Sequence, residues 1–308
     1  MPPRTLVIAN PASAAGRTVR RLPQLEPALR AAIGAYDLVW TAGPLDAERL
    51  AREAAAAGVD RLVVAGGDGT AAEVVSGLLG ASPRAQAEIA FLPLGTGADF
   101  HRTLDIPRDP DEAIAELASG KGRRIDVGWV GYAGEDGARH ASHFLNVASC
   151  GLSGVVTRHV RGSKALGARL AFLLGTLAGV ASFRPSALCA RVDGSEVFRG
   201  DVALAAVANG RYFGGGMQVA PEARPDDGLL DLVIIPALPK LVLVSKLPTL
   251  YAGTLLRVPE VQSFRGRKVE LEPLGEPALG EIDGEPVARL PMTVEVRPGA
   301  LTVWGAGA

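Results

Sequence analysis

The sequence predicts two domains, an α/β domain with a parallel sheet at the N-terminus and an antiparallel β-rich domain after it. In the first part, short apolar runs with the length of buried strands alternate with helical patterns. From Arg124 onward the pattern changes to strands joined by Asp-Gly hairpin signals. We place the domains at residues 1–125 and 126–291, and leave open that a final strand within 292–308 returns to the first domain.

The N-terminal elements follow from apolar periodicity and from residues typical of helix ends. Asp46 is a suitable N-cap for a helix that Gly58 ends. Thr70 as an N-cap, with Glu73 three residues later, matches a capping box, which favours a structural role for Glu73. The predicted strands lie at 5–9, 37–41, 62–65 and 89–94, and the predicted helices at 20–33, 46–57, 71–79 and 109–119.

The C-terminal part predicts short strands interrupted by two helical patterns. The predicted strands lie at 125–130, 143–149, 187–192, 202–207, 229–235, 268–272, 280–282, 292–297 and 301–304, and the helical patterns at 164–183 and 238–256. The longest uncharged apolar run, 170–183, is shorter than the ~20 residues that a membrane-spanning helix needs. We therefore expect no transmembrane segment.

Composition indicates a globular protein. The chain has 308 residues, enough for two ordinary domains, and 48% of them are hydrophobic while 21% are charged. A formal net charge of −1 argues against a nucleic acid partner. Cys150 and Cys189 form neither a disulfide framework nor a metal-binding spacing, and the N-terminus lacks the pattern of a signal peptide. We therefore expect a cytoplasmic protein.

The stretch 62–70 predicts a phosphate-binding turn. An apolar strand is followed by three glycines around Asp68 and then by a helical pattern. Glycine lets the backbone approach a ligand closely, and a helix N-terminus offers free N–H groups to an anion. Asp68 could hold Mg²⁺ or accept a proton. The alternative is a tight turn that binds nothing.

Loops of small residues also follow the neighbouring predicted strands, at 10–16, 41–44 and 95–99. Because open α/β sheets bind ligands at the carboxyl ends of their strands, these loops predict a nucleotide site. The candidates for nucleotide contacts are Asn10, Pro11, Ala12, Ser13, Ala14, Thr41, Gly66, Gly67, Asp68, Gly69, Thr70 and Thr96. The candidates for an acidic cluster that organises Mg²⁺ and water are Asp68, Asp99 and Asp126.

These motifs resemble those of the diacylglycerol kinase catalytic-domain family, the bacterial soluble lipid kinases related to sphingosine kinases. The resemblance runs nearly end to end, with the motifs in the same order. They are Asn10-Pro11, Gly66-Gly67-Asp68-Gly69-Thr70, Pro93-Leu94-Gly95-Thr96-Gly97, Asp99-Phe100, Ile125-Asp126-Val127-Gly128, Asn146, Ser149, Gly151, Asn209-Gly210, Gly214-Gly215-Gly216, Asp227-Gly228-Leu229-Leu230-Asp231 and Asp283-Gly284-Glu285. The sequence departs from the family pattern at Ala98, where Asn is usual, which concerns efficiency or acceptor choice more than fold.

The resemblance implies an ATP-dependent kinase with a phosphofructokinase-like nucleotide domain and a β-rich second domain. It implies that Glu285 is the general base that accepts the proton of a lipid hydroxyl. It also implies a structural Mg²⁺ bound by the carboxylate of Asp227 and the main-chain carbonyls of Arg224 and Leu229. The alternatives are that the Asp-Gly pair before Glu285 is only a hairpin turn and that the 224–229 loop is a solvated acidic turn.

We therefore predict a lipid kinase that uses ATP and Mg²⁺ to phosphorylate a free hydroxyl of a diacylglycerol-like or other long-chain lipid. An NAD kinase-like enzyme, which shares the Gly-Gly-Asp-Gly turn, and a catalytically weak nucleotide-binding regulator are the alternatives.

The basic segment 158–164, beside an apolar stretch, predicts transient association with an anionic membrane surface. A solvated loop is its alternative, and a homodimer stays open. The four histidines show no metal-ligand spacing.

Overall fold

A computed structural model describes residues 3–82, 87–97, 99–134, 136–161 and 168–305. The chain divides into two compact units. The first comprises Met1–Val127 and Pro298–Ala308, and the second comprises Gly128–Arg297. Each unit is described separately below.

The first unit is an α/β domain built on a parallel sheet, as predicted. Its strands are β1 (Thr5–Ala9), β2 (Asp37–Trp40), β3 (Arg61–Gly66) and β4 (Glu88–Pro93), and its helices are α1 (Ser13–Ile33), α2 (Asp46–Ala56), α3 (Asp68–Ala81), α4 (Asp99–Thr103) and α5 (Pro110–Ala118). The strand order is β4-β3-β1-β2, and all of these pairings are parallel. The apolar side chains of β3 are buried, which explains its continuous Leu-Val-Val-Ala run.

Several helices begin earlier than the sequence predicts. Helix α3 starts at Asp68, with Gly67 in the N-cap position and no side-chain cap. The predicted N-cap role of Thr70 is therefore wrong, since Thr70 lies inside the first turn. The N-cap of α2 is Leu45, so the prediction for Asp46 is also wrong by one residue. In both cases the small or acidic residues that are typical of caps occupy the first helical turn instead.

The second unit consists mainly of antiparallel strands, as predicted. Its strands are β5 (Gly122–Ala133, which starts in the first unit), β6 (Arg139–Phe144), β7 (Val147–Gly151), β8 (Ser186–Val192), β9 (Ser195–Ala208), β10 (Tyr212–Phe213), β11 (Met217–Gln218), β12 (Leu230–Pro236), β13 (Gln262–Gly266), β14 (Lys268–Pro273), β15 (Leu279–Ile282) and β16 (Glu285–Trp304, which ends in the first unit). Its helices are α6 (Leu152–Arg161), α7 (Ala168–Ser182) and α8 (Lys240–Tyr251).

The strands of the second unit pair in a closed antiparallel ring. The order around it is β9, β7, β15, β16, β14, β8 and again β9. The ring closes because β9 is long: its first half pairs with β8 and its second half pairs with β7. Strand β12 adds to β9, and β13 adds to β12. Apolar side chains such as Leu188, Leu271 and Val294 form a fully buried core.

The structure corrects several predicted elements of the second unit. The predicted strand 143–149 is two strands, β6 and β7, because the main chain between them is bound by a side chain from another loop, described below. The predicted strands 292–297 and 301–304 are parts of the single strand β16. Helix α6 was not predicted, and the predicted helix 164–183 corresponds to α7, with 162–167 outside the described residues. Among the described helices, none is long and apolar enough to cross a membrane.

Candidate nucleotide and catalytic sites

The two glycine turns of the first unit touch main chain to main chain. A Cβ atom on Gly95 would lie 2.4 Å from the Cα of Gly67, and one on Gly67 would lie 3.3 Å from the Cα of Gly95. A Cβ on Gly66 would lie 2.8 Å from the hydroxyl of Thr70. Glycine is required at these positions because no side chain fits between the turns. The close contact brings the ends of β3 and β4 together at one edge of the sheet.

Asp68 fastens these turns to each other. Its Oδ2 accepts a hydrogen bond of 3.0 Å from the amide of Asp99, and its Oδ1 accepts one of 3.4 Å from the amide of Phe100. A Cβ on Gly97 would lie 2.5 Å from Oδ2. Burial acts to raise the pKa of Asp68, but nearby His101 and the two amides outweigh it and hold the pKa below its usual value. Asp68 is therefore a carboxylate at neutral pH.

His101 belongs to this site, although the sequence analysis assigned it no role. Its side chain is 3% exposed, and neither ring nitrogen has a hydrogen-bond partner among the described residues. Its Nδ1 lies 3.9 Å from Oδ1 of Asp68, which is too long for a hydrogen bond. No pattern of residues marked it in the sequence; only its place in α4, two residues after Asp99, could have suggested it.

The loop after β1 packs against the same edge. Asn10 donates from Nδ2 to the hydroxyl of Thr70 at 3.0 Å, and its Oδ1 accepts from the amide of Ala12 at 2.9 Å. The side chain of Asn10 thus links the loop to α3. The next residues, Ala14 and Ala15, have left-handed φ angles of 51° and 57°, which is a strained conformation for alanine.

A cleft of about 260 Å³ opens beside this loop. It is lined by Ala14, Arg17, Thr18, Arg21 and Gly95, among others. Arg17 supplies positive charge at a place where glycine leaves the main chain accessible, and Arg21 beside it pairs with Asp111 at 3.2 Å. This combination suits a phosphate group.

The remaining predicted nucleotide residues differ in exposure. Thr41 is buried at the end of β2, with its amide bonded to the carbonyl of Ala9 at 2.9 Å. Ser13 is also buried, whereas Ala12, Gly69 and Thr96 are exposed and Pro11 is half-buried. Ala98, the position that departs from the family pattern, lies outside the described residues.

The three predicted acidic residues do not form one cluster. Asp68 and Asp99 are adjacent, but Oδ1 of Asp99 pairs with Arg102 at 2.5 Å. Oδ1 of Asp126 accepts a 2.7 Å hydrogen bond from the amide of Gly299, so Asp126 binds the main chain of β16 at this residue. Among the described residues, no group of three or more carboxylate, imidazole or thiolate side chains is placed to hold a metal ion. A joint role of the three carboxylates in organising Mg²⁺ and water therefore stays a prediction.

Asp68 by itself still fits a Mg²⁺ ion that arrives with a nucleotide. Its carboxylate is 20% exposed, and it stands at the start of α3, beside main-chain amides suited to phosphate. Mg²⁺ keeps several waters and needs only one or two protein carboxylates when phosphates supply other ligands. When bound, the ion would neutralise charge on those phosphates.

The second unit carries Glu285 just after a tight hairpin turn. Asp283 and Gly284 have φ angles of 45° and 86° and connect β15 to β16, and Ile282 pairs with Glu285 across the turn. Two left-handed residues in a two-residue turn suit the right-handed twist of a hairpin. Glu285 is exposed at the first position of β16.

The side chain of Asp283 does more than form the turn. Its Oδ2 accepts from the amide of Leu145 at 2.7 Å, and its Oδ1 accepts from the amides of Asn146 and Val147 at 2.9 and 3.0 Å. These bonds occupy the main chain between β6 and β7 and explain why the predicted strand 143–149 is interrupted. The hairpin is thus fixed to a neighbouring loop by one carboxylate.

The same loop is held from its other side. The amides of Asn209 and Gly210 donate to the carbonyl of Asn146 at 2.8 and 2.9 Å. Nδ2 of Asn209 donates to the carbonyl of Leu145 at 2.8 Å. Three motifs that are distant in sequence therefore meet around residues 145–147, and their contacts there are structural.

In the loop predicted to bind a structural Mg²⁺, the carboxylate of Asp227 is paired with an arginine side chain. Oδ1 of Asp227 accepts from the amide of Leu229 at 3.0 Å, and its Oδ2 pairs with Arg265. Arg265 also pairs with the buried Asp231 at 3.2 Å. Arg224 pairs with a neighbouring aspartate through its side chain. Because the guanidinium of Arg265 already neutralises the carboxylate of Asp227, these residues do not fit Mg²⁺ as they stand, and the metal site stays a prediction from the resemblance.

Two family descriptions match the chain. The diacylglycerol kinase catalytic domain matches residues 4–130, and the YegS C-terminal NAD kinase beta sandwich-like domain matches residues 146–305. A protein of Pseudomonas fluorescens named "Probable lipid kinase YegS-like" is 36% identical over 279 residues, covering 86% of this chain and 83% of that protein. One of the same name from Pseudomonas aeruginosa is 36% identical over 282 residues, covering 87% and 83%.

Solved structures share the fold. A diacylglycerol kinase from Bacillus anthracis has a TM-score of 0.74 at 23% identity, covering 98% of this chain and 96% of that one. An NAD kinase from Archaeoglobus fulgidus in complex with ATP has a TM-score of 0.52 at 15% identity, covering 97% and 93%. At these identities the likeness concerns the fold alone, and the likeness of the first unit to phosphofructokinase stays a prediction. From the family matches and the curated relatives together, the chain belongs to the diacylglycerol kinase catalytic-domain family, in its YegS-like branch.

Proposed function

We propose that the protein is an ATP-dependent lipid kinase that transfers the γ-phosphate of ATP to the hydroxyl of a diacylglycerol-like or other long-chain lipid. The observation that carries this proposal is the position of Asp68, a carboxylate that joins two glycine turns beside the start of α3. Phosphoryl transfer depends mainly on positioned phosphates and stabilised charge, and this edge of the sheet offers both.

In the proposed reaction, the lipid hydroxyl oxygen forms a bond to the γ-phosphorus while the bond from that phosphorus to the β,γ-bridging oxygen breaks, and ADP leaves. Glu285 accepts the hydroxyl proton. The glycine main chain and the arginine-lined cleft bind the phosphates, and Asp68 holds one position of the Mg²⁺ that accompanies ATP. An exposed carboxylate on a rigid turn is suited to accept a proton from an incoming alcohol.

The test is phosphorylation with labelled ATP and Mg²⁺ across a set of acceptors. The set includes diacylglycerol, monoacylglycerol, a long-chain amino alcohol and NAD⁺, each presented with and without detergent. We expect label in a long-chain lipid product and none in NAD⁺. Label in NAD⁺ would favour the NAD kinase-like alternative. ATP binding without transfer to any acceptor would favour a nucleotide-binding regulator.

A water-insoluble acceptor requires the protein to visit a membrane surface. Arg158 is exposed on α6, in the basic segment 158–164, whose last three residues lie outside the described residues. We propose that this segment gives reversible association with anionic membranes, since each basic residue near such a surface contributes about 1 kcal/mol.

A further inference from the structure

We propose that Glu281 is a positioning residue for Glu285, because its buried carboxyl group fixes the main chain of the turn that precedes Glu285. The inference rests on the proposed function, in which Glu285 is the general base. Glu281 lies on β15, four residues before Glu285, and is 2% exposed. Nothing in the sequence analysis singled it out.

The carboxyl group of Glu281 contacts the turn directly. Its Oε2 accepts a hydrogen bond of 2.7 Å from the amide of Gly284. Gly284 is one of the two turn residues between the paired Ile282 and Glu285, so its amide has no place in the ladder of the hairpin and takes another partner. Glu281 supplies that partner, and its side chain therefore sets the direction in which the chain enters β16.

The other oxygen of Glu281 is held by one serine, which in turn contacts a second serine. Oε1 is hydrogen-bonded to the hydroxyl of Ser149, which is its partner in the pairing of β15 with β7. The hydroxyl of Ser149 also lies 2.7 Å from that of Ser153, in the first turn of α6. Both serines are buried. A connected set of polar groups thus runs from α6 through β7 to the turn.

A carboxyl group is an unusual choice for this buried place. Isolated charges are costly in a protein interior, and the charged groups that act on Glu281 are Asp283 and Glu285, both acidic. From β7 and α6 it is faced by hydroxyls. Burial raises the pKa of Glu281 to about 7, assisted by those two acids, while Ser149 and the amide of Gly284 act to lower it. An apolar side chain would cost less, so the presence of a carboxyl group here points to a task.

The hydrogen-bond pattern serves this task in both protonation states. The single hydroxyl proton of Ser149 has two acceptors in reach, Glu281 and Ser153. When Glu281 is ionised, Ser149 donates to it and Ser153 donates to Ser149. When Glu281 is protonated, it donates to Ser149, which donates to Ser153. In either arrangement Oε2 still accepts from the amide of Gly284, so the turn stays fixed.

Two substitutions at Glu281 separate positioning from packing. Glu281→Gln reproduces the protonated arrangement, because its NH₂ can donate to Ser149 while its oxygen accepts from Gly284. Glu281→Leu fills a similar volume but offers no acceptor. With the best lipid acceptor, we expect Glu281→Gln to keep kcat within about threefold and Glu281→Leu to lower kcat by about tenfold to a hundredfold, since small displacements of a reacting group are costly. The KM for ATP should stay unchanged in both.

Hydrogen–deuterium exchange of the peptide containing residues 281–286 gives a readout that is independent of activity. We expect faster exchange in Glu281→Leu than in the native protein and Glu281→Gln. Equal exchange in all three folded proteins would overturn the inference, and so would a native kcat in folded Glu281→Leu. If Glu281→Leu fails to fold, Ser149→Ala replaces it, with a smaller loss of kcat and faster exchange expected. Thr249→Val is the control, because it removes a hydroxyl on α8 that donates to the carbonyl of Lys246 and to no member of this set.

The exchange measurement also separates this inference from the proposed function. If no lipid is phosphorylated, the proposed function fails, and if Glu285→Gln is fully active, the role of Glu285 as general base fails. Positioning of the turn by Glu281 would still be judged by exchange: faster exchange in Glu281→Leu alone supports it, and equal rates reject it.

Discussion

The carboxylate of Asp68 accepts a 3.0 Å hydrogen bond from the main-chain amide of Asp99, so the first residue of α3 is fastened to the first residue of α4. The two residues are 31 positions apart in the sequence. The bond needs the close contact of Gly67 with Gly95, which brings the two turns to the same place. The candidate phosphate site is therefore a rigid junction of two strand-to-helix connections.

Asp68→Asn and Glu285→Gln should each abolish lipid phosphorylation while the protein stays folded. A general base typically contributes ~10²–10⁴-fold to the rate, and loss of the Asp68 charge removes the carboxylate that we propose as a ligand for the Mg²⁺ of ATP. Turnover of purified variants with labelled ATP measures the effect, and circular dichroism checks the fold. The matched controls are Asp37→Asn and Glu276→Gln, which change exposed acids of the respective units. Near-native turnover of either test variant would remove that residue from the mechanism.

Gly95→Ala should destabilise the first unit and weaken ATP binding. The added Cβ would lie 2.4 Å from the Cα of Gly67, and overpacking of this kind typically costs about 1–3 kcal/mol. Gly80→Ala is the control, because a Cβ there meets nothing within 4 Å and alanine favours a helix. Thermal unfolding and nucleotide titration measure both variants. Equal stability of the two alanine variants would contradict the tight contact between the turns.

Glu281→Gln should make stability less dependent on pH. The pKa of Glu281 is raised in the folded protein from 4.5 to about 7, so the folded state favours the protonated form. The stability that this form contributes is complete below pH 4.5 and is lost as the pH rises through about 7. The native protein should therefore lose up to about 3 kcal/mol relative to Glu281→Gln across that window, at 1.36 kcal/mol per pKa unit. Urea unfolding at several pH values checks this, and parallel curves for the two proteins would refute it.

Arg265→Gln should destabilise the second unit because it leaves Asp227 and the buried Asp231 without their cation. Arg265 is 43% exposed, so solvent screening reduces the loss to about 1–2 kcal/mol. Thermal unfolding measures this loss, and thermal unfolding with added Mg²⁺ tests the predicted metal site. We expect Mg²⁺ to leave the melting temperature of the native protein unchanged and to raise that of Arg265→Gln. A Mg²⁺-dependent rise in the native protein that Asp227→Asn abolishes would instead establish the metal site.

Flotation with liposomes should show binding that increases with the anionic lipid fraction and decreases with salt. The basic residues of segment 158–164 attract an anionic surface within about one Debye length, ~8–10 Å at moderate ionic strength. Arg158→Gln tests a described residue of this segment, and Arg139→Gln, an exposed arginine of β6, is the matched control. Binding that responds to neither lipid charge nor salt would remove the membrane proposal.

Local sequence determined much of this protein. The apolar runs of β1, β3 and β4 and the glycines after them were sufficient to predict a parallel sheet with a ligand-binding edge, because burial and backbone freedom are properties of short segments. The Asp-Gly pair before Glu285 predicted a hairpin for the same reason. These features need no knowledge of distant residues.

Tertiary structure alone decided which polar groups meet. Asp126, predicted to organise Mg²⁺ together with Asp68, accepts a hydrogen bond from the amide of Gly299, and Asp227, predicted to hold a metal, pairs with Arg265. His101 and Glu281 carried no recognisable pattern, since their significance lies in burial and in partners from other elements. Hydrogen bonds and ion pairs join residues whose separation in sequence has no fixed relation to their distance in space. The residue types therefore showed which chemistry was available, and the packing of strands and turns decided which atoms could take part in it.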